Sequence, residues 1–146
     1  MAPPQEERTK EVPPVGGRKH CEYCGRDVHT RAVRRRETFL IFGREAVVVT
    51  VRIRMCSRCG AHLYDHSLDQ ANFRRAYDRY RRRHRLPFPA KIRDFRRRHR
   101  LSVDALGELL GCSAATIRHW EAGVLPPPEL GRRLRGLVGS GRQPAA

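Results

Sequence analysis

Four cysteines stand as two Cys-x-x-Cys pairs, Cys21 with Cys24 and Cys56 with Cys59, with 31 residues between the pairs. Thiolates in that number and spacing offer four soft ligands at two preformed corners, which suits the tetrahedral preference of zinc. A glycine follows each pair, Gly25 and Gly60, and permits the tight turn in which backbone N–H groups approach the sulfurs. With all four ligands from protein, no open position remains for a catalytic water. The expected cofactor is a structural Zn2+, and an enzyme is not expected. An iron–sulfur cluster accepts the same four thiolates and stays open on spacing alone. A redox Cys-x-x-Cys of the thioredoxin kind would sit in a βαβ unit, which the flanking segments do not provide. His20, His29, His62 and His66 lie near the thiols in the chain, but four cysteines need no help, so these read as surface or supporting residues. Cys112, alone between Gly111 and Ser113, reads as a small buried turn residue.

The surrounding charge says what kind of partner such a scaffold would serve. The 146 residues include 31 Lys and Arg against 15 Asp and Glu, a formal charge of +16. That balance implies a polyanion. The excess is uneven, with 13 basic against 8 acidic residues up to Asp65 and 18 against 7 beyond it, so the polyanion is expected on the second half. There is no apolar run long enough to span a membrane, and "MAPPQEERTKEVPPVGG" carries acidic residues where a signal peptide needs an apolar core. A cytoplasmic location without membrane contact is expected. In a reducing compartment, paired cysteines hold metals more often than they form disulfides.

The elements that must position these residues are legible from periodicity. Residues 1–17 are rich in Pro, Gly and charge and read as a disordered arm. Residues 33–55 read as two strands turning at Gly43-Arg44, with Val47, Val49, Val51, Ile53 and Met55 on one face and Arg52 and Arg54 on the other. This hairpin brings the two cysteine pairs together, so residues 18–66 are expected to form a small metal-binding β domain. From Ser67 to about Arg85 the period becomes helical, with Leu68, Ala71, Phe73, Ala76, Tyr77 and Tyr80 spaced by three or four and Arg on the remaining face. "RLPFP" then breaks the helix and marks a hinge, so residues 67–88 read as helix and linker. Four short helices are expected over 89–139, punctuated by Pro89, the caps Ser102 and Ser113, and the stops Gly111 and Gly123. Residues 140–146 read as a tail. The fold class expected is α+β, a zinc-binding β-hairpin domain followed by an all-α domain.

Within the all-α part, "LSVDALGELLGCSAATIRHWEAG" has the form of a helix-turn-helix, with Leu106, Leu109 and Leu110 facing inward from one helix and Ile117 and Trp120 from the next. A step of about 100° per residue then places Ala115, Arg118, His119 and Ala122 outward and Thr116 at the flank. Ala115 is of a size to meet a thymine methyl, and Arg118 and His119 carry donors for guanine or phosphate. Ser113 stands at the N-cap, where a helix terminus meets phosphate. Arg96, Arg97 and Arg98 belong to a dense basic run, from Arg79 to Arg100, expected to add phosphate contacts and salt dependence. Leu130, Leu134, Leu137 and Val138 form an apolar stripe on the last helix, read as core.

That segment resembles the helix-turn-helix of the Xre/Cro type, whose pattern runs LSxxxLAxxLGxSxxTIxxWExG. The preceding "CEYCG" and "FGREAVVVTVRIRMCSRCG", with the helix and proline break between, resemble the zinc-binding domain of the MqsA family of antitoxins, the YgiT-type zinc finger. The joint resemblance spans residues 20 to about 138. It implies the antitoxin of a bacterial type II toxin–antitoxin pair. In such a protein the zinc domain neutralises a small ribonuclease toxin, while the helical domain forms a homodimer that binds a palindromic operator in double-stranded DNA and represses its own operon. The departures are Gly107 where the pattern has alanine, expected to weaken that helix by up to about 1 kcal/mol, and Ala115 and His119 at recognition positions that are polar in family members. A stand-alone zinc-containing regulator without a toxin is the alternative reading.

Overall fold

The computed structural model describes residues 17–139. The arm and the tail expected at 1–17 and 140–146 lie outside the described residues except for Gly17. The elements run β1 (Arg18–Cys21), β2 (Arg26–Ile41), β3 (Glu45–Cys56), β4 (His62–Leu63), α1 (His66–His84), α2 (Pro89–Arg98), α3 (Val103–Leu110), α4 (Ala114–Glu121) and α5 (Pro128–Val138). The fold is α+β, with an antiparallel sheet in the order β1-β2-β3-β4 preceding the helices. Two compact units divide within α1, the first ending at Ala76 and the second beginning at Tyr77. Among the described residues no helix is long and apolar enough to cross a membrane.

The hairpin expected over 33–55 is the inner pair of a larger sheet. β2 starts at Arg26 because β1 pairs with its first residues, Arg18 opposite His29 and Cys21 opposite Arg26. The turn also sits one residue earlier than Gly43-Arg44. Phe42 and Gly43 hold φ of 52° and 64°, and the Arg44 N–H donates to the Ile41 carbonyl at 3.0 Å. Positive φ at two successive residues gives the twist that matches a hairpin's strands. Val47, Val49, Val51 and Ile53 are buried as the alternation requires. The first part of α1 covers that face, Phe73 meeting Phe39 edge-on at 5.6 Å between centroids. Asn72, also buried, accepts from the Arg52 N–H at 3.0 Å and donates to the Arg52 carbonyl at 2.7 Å. It thereby satisfies a strand edge that would otherwise be left without partners.

In the second unit the core gathers Ile92, Phe95, Leu106, Leu110, Ile117, Trp120 and Leu134, with Leu130, Leu137 and Val138 packed against it. The stripe on α5 is therefore core. Leu109 is not: it is 42% exposed, while Leu106 and Leu110 carry the inner face of α3. Ser102 and Ser113 cap α3 and α4, each hydroxyl accepting the N–H three residues on. Gly111 ends α3 at φ 75°. Two other helix ends use arginine in the left-handed region, Arg85 after α1 and Arg100 after α2. Each is held by bonds back into its helix, Leu86 N–H to the Arg81 carbonyl at 2.8 Å and Leu101 N–H to the Arg96 carbonyl at 2.9 Å. Glycine is the usual residue at such a position, so these stops carry no mark in the sequence.

Gly107 has a packing role beside its propensity cost. A Cβ built on it would lie 2.5 Å from the Cys112 carbonyl oxygen, because the turn folds back across α3, where the Cys112 N–H donates to the Gly107 carbonyl at 2.9 Å. The glycine admits this close approach. Its propensity cost is offset by the turn it permits.

Candidate metal centre and nucleic-acid interface

The sheet brings the two cysteine pairs to one place. Cys21 ends β1 and Cys56 ends β3. Each is followed by a tight knuckle closed by its glycine, Gly25 N–H to the Cys21 carbonyl at 2.8 Å and Gly60 N–H to the Cys56 carbonyl at 3.0 Å. Gly25 and Gly60 take φ of 67° and 75°, a left-handed conformation that glycine adopts without steric cost and that closes the tight turn expected there. β4, pairing His62 with Met55, brings the chain back from the second knuckle. All four sulfurs lie within 4.8 Å of one another, with Cys21 to Cys59 at 3.6 Å and Cys24 to Cys56 at 3.8 Å.

Those separations fit a metal. A tetrahedral ion with sulfur arms of about 2.3 Å separates its ligands by about 3.8 Å. The electrostatics point the same way. Backbone N–H groups of Cys59 and Arg58 donate to the Cys56 sulfur at 3.4 and 3.3 Å, and the first of these leads in bringing that thiol down to about 6. Cys24, desolvated and surrounded by the other three sulfurs, is pushed up to about 12. Four thiols this close cannot all ionise unless a cation offsets their repulsion. A divalent ion held by Cys21, Cys24, Cys56 and Cys59 would supply that charge and cross-link the sheet, with no ligand position left for chemistry.

Behind the centre, Asp65 ties the sheet to α1. Its carboxylate accepts from the Leu68 N–H at 3.0 Å and from Arg54 at 2.7 Å, while its own N–H donates to Asp69 at 3.1 Å. The Leu68 N–H and then Arg54 hold the Asp65 carboxyl below its ordinary value. The sequence marks Asp65 only as part of a turn; its cap role follows from where α1 starts.

On α4 the outward residues are those the helical step requires. Ala115, Arg118, His119 and Ala122 are exposed, Thr116 is half-buried, and Ile117 and Trp120 are buried. The Ser113 hydroxyl caps the helix by accepting the Thr116 N–H at 3.2 Å and lies 2.9 Å from the Thr116 hydroxyl. Among the described residues the side chains of Arg118 and His119 have no hydrogen bond or ion pair, and neither do those of Arg97 and Arg98. All four are exposed and lie in the second unit.

Arg96 is placed otherwise. Its guanidinium forks onto the Glu121 carboxylate at 2.7 and 3.3 Å and reaches the Leu101 carbonyl at 3.3 Å. It joins α2 to the end of α4 instead of facing outward like its neighbours, and the Glu121 contact raises its pKa. Arg81, in the same basic run, is 2% exposed. It pairs with Asp78 at 2.9 Å, donates to the Gly123 carbonyl at 2.6 Å and lies 5.9 Å from the Phe88 ring centroid. Burial lowers its pKa. These two arginines secure the C-terminal end of α4 and the turn after it, a role that charge density alone does not distinguish from phosphate contact. Cys112 is half-buried against the helical core, and burial pushes its thiol up.

No protein-family model matches the chain, and no curated protein is significantly similar to it.

Proposed function

We propose that the chain is a sequence-specific DNA-binding repressor with a structural zinc centre, acting as the antitoxin of a type II toxin–antitoxin pair. The observation that carries the DNA-binding part is α4 itself. It is capped by Ser113, held at its C-terminal end by Arg96 and Arg81, and offers Ala115, Arg118 and His119 on one solvent-facing side without internal partners. A short recognition helix with a free polar face fits the major groove, and Arg97 and Arg98 in the same unit add cations for phosphates. The site that would take DNA is then Ser113, Ala115, Thr116, Arg118 and His119, with the chain paired as a homodimer on a palindromic operator. Zinc is the ion proposed for the cysteines, since a closed set of four thiolates is its usual structural site. The antitoxin part rests on the order of the two modules and on the resemblance to the MqsA family.

The test uses the full chain and the DNA upstream of its own reading frame, compared with a random duplex. Arg118→Ala or His119→Ala should lower the preference for the upstream sequence by about 1–3 kcal/mol. Equal binding to both duplexes by the unaltered chain would sink the repressor reading. Co-expression with the adjacent small reading frame tests the antitoxin role: its product should be toxic alone, harmless in company, and recovered with this chain at fixed stoichiometry.

A further inference from the structure

The face of the β2–β3 hairpin opposite α1 carries charge that the fold leaves uncompensated. Arg34 and Arg52 stand directly opposite each other in the register, and Arg36 follows on the same face opposite Thr50. Like charges in facing positions of an antiparallel pair oppose its formation. Arg35, on the other face, has Glu37 as partner, and Arg54 has Asp65. Arg34, Arg36 and Arg52 have no side-chain hydrogen bond or ion pair among the described residues. Moreover, the Arg52 Nε is shielded from solvent and has no acceptor. A buried donor without an acceptor is costly, and an anion reaching the more accessible part of the same guanidinium would offset some of that cost.

Further along the same face the chemistry changes to apolar. Leu40 is 63% exposed, and Val48, opposite Thr38, is half-buried. Nucleic-acid phosphates would engage the arginines but leave these side chains in water. A protein surface would engage both, and interface cores favour arginine with apolar residues over lysine.

We propose that the outer face of the β2–β3 hairpin, Arg34, Arg36 and Arg52 with Leu40 and Val48, is the docking surface for a protein partner that presents clustered carboxylates beside an apolar patch. This rests on the reading that the cysteine-bearing unit serves a protein partner, and it gives that partner's contact surface a stated chemistry. Carboxylates would take the arginines through paired N–H donors, and Leu40 and Val48 would be covered by apolar contact.

The test is a titration of the full chain, followed by the Nε–H resonances of its arginines, with two probes: a peptide of glutamate and leucine, and a random DNA duplex. The peptide should move Arg34, Arg36 and Arg52, and the double variant Arg34→Glu/Arg36→Glu should bind it roughly tenfold more weakly or worse. The duplex should move Arg97, Arg98 and Arg118 instead. That variant places a carboxylate opposite Arg52, so it should melt no lower than the unaltered chain, which separates lost docking from lost folding. If the duplex moves the hairpin arginines, phosphate is the ligand and the proposal is overturned. If neither probe moves them, the face is only solvated and the proposal is likewise overturned. Co-purification separates the two readings: equal recovery of the neighbouring gene's product by variant and unaltered chain refutes this docking surface and leaves the antitoxin role standing. No recovery by either removes the antitoxin role, and the titration decides the surface.

Discussion

Arg96→Ala distinguishes a structural arginine from a phosphate contact. The guanidinium makes two charge-assisted bonds to Glu121 and one to the Leu101 carbonyl, and the two side chains are 20% and 11% exposed. Breaking a fully buried pair costs about 3–5 kcal/mol, and a surface pair about 0–1 kcal/mol. This pair is screened in part by solvent, so a loss of about 2 kcal/mol is expected, with Glu121 left desolvated beside an empty position. For a unit of this size that lowers the melting temperature by roughly 8–16 °C. Arg96→Lys should recover little, since an ammonium cannot fork onto the carboxylate. Trp120 is the chain's one tryptophan and is buried in α4, so its fluorescence reports unfolding of the second unit alone. DNA affinity as a function of salt supplies the other readout. A phosphate contact would cut the slope by about one and leave melting unchanged. If Arg96→Ala shows that pattern, the clamp assignment is wrong; if Arg97→Ala and Arg98→Ala show it while Arg96→Ala melts early, the assignment stands.

Other consequences follow from the same geometry. Chelation, or Cys56→Ala, should abolish binding of one metal ion per chain and unfold the sheet while the Trp120 transition keeps its midpoint; elemental analysis and paired melts check this, and a shift of both transitions would contradict it. Gly107→Ala adds helix propensity of about 1 kcal/mol, but its methyl meets a backbone oxygen, so a net loss of about 1–2 kcal/mol by denaturant titration is expected, and a gain would show that the turn does not press on α3. The Asp65 carboxyl is held below its ordinary value of 3.8. Its contribution is thus complete above that value and is lost as the pH falls through the lower, folded one. Asp65→Asn should flatten the acid limb of sheet stability below about pH 4, and an unchanged limb would remove Asp65 from that role.

Much of this was legible in the sequence because it rests on local periodicity and local turn chemistry. Alternation from Val47 to Ile53 specified a half-buried strand. Two Cys-x-x-Cys-Gly motifs specified two tight turns, Ser102 and Gly111 delimited α3, and Ser113 marked the start of α4, which ends at Glu121, two residues before the stop expected at Gly123. The outward set on α4 followed from the helical step once Ile117 and Trp120 were taken as core.

What remained hidden depends on contacts between residues distant in the chain. β1 and β4, of four and two residues, are too short to show a period and exist because longer strands offer them an edge. Arg85 and Arg100 stop helices in a conformation that their residue type does not announce. Gly107 looks like a weakness until the Cys112 carbonyl is placed above it. Above all, neighbouring arginines in one basic run were divided by tertiary structure alone, with Arg96 drawn onto Glu121 and Arg81 onto the Gly123 carbonyl while Arg97 and Arg98 stayed in solvent. A sequence fixes how many charges a chain carries and which face of an element they occupy. Only the packed structure decides which of them find a carboxylate inside the protein and which remain for a ligand outside it, because that choice is made over a few ångströms between segments that the chain order keeps apart.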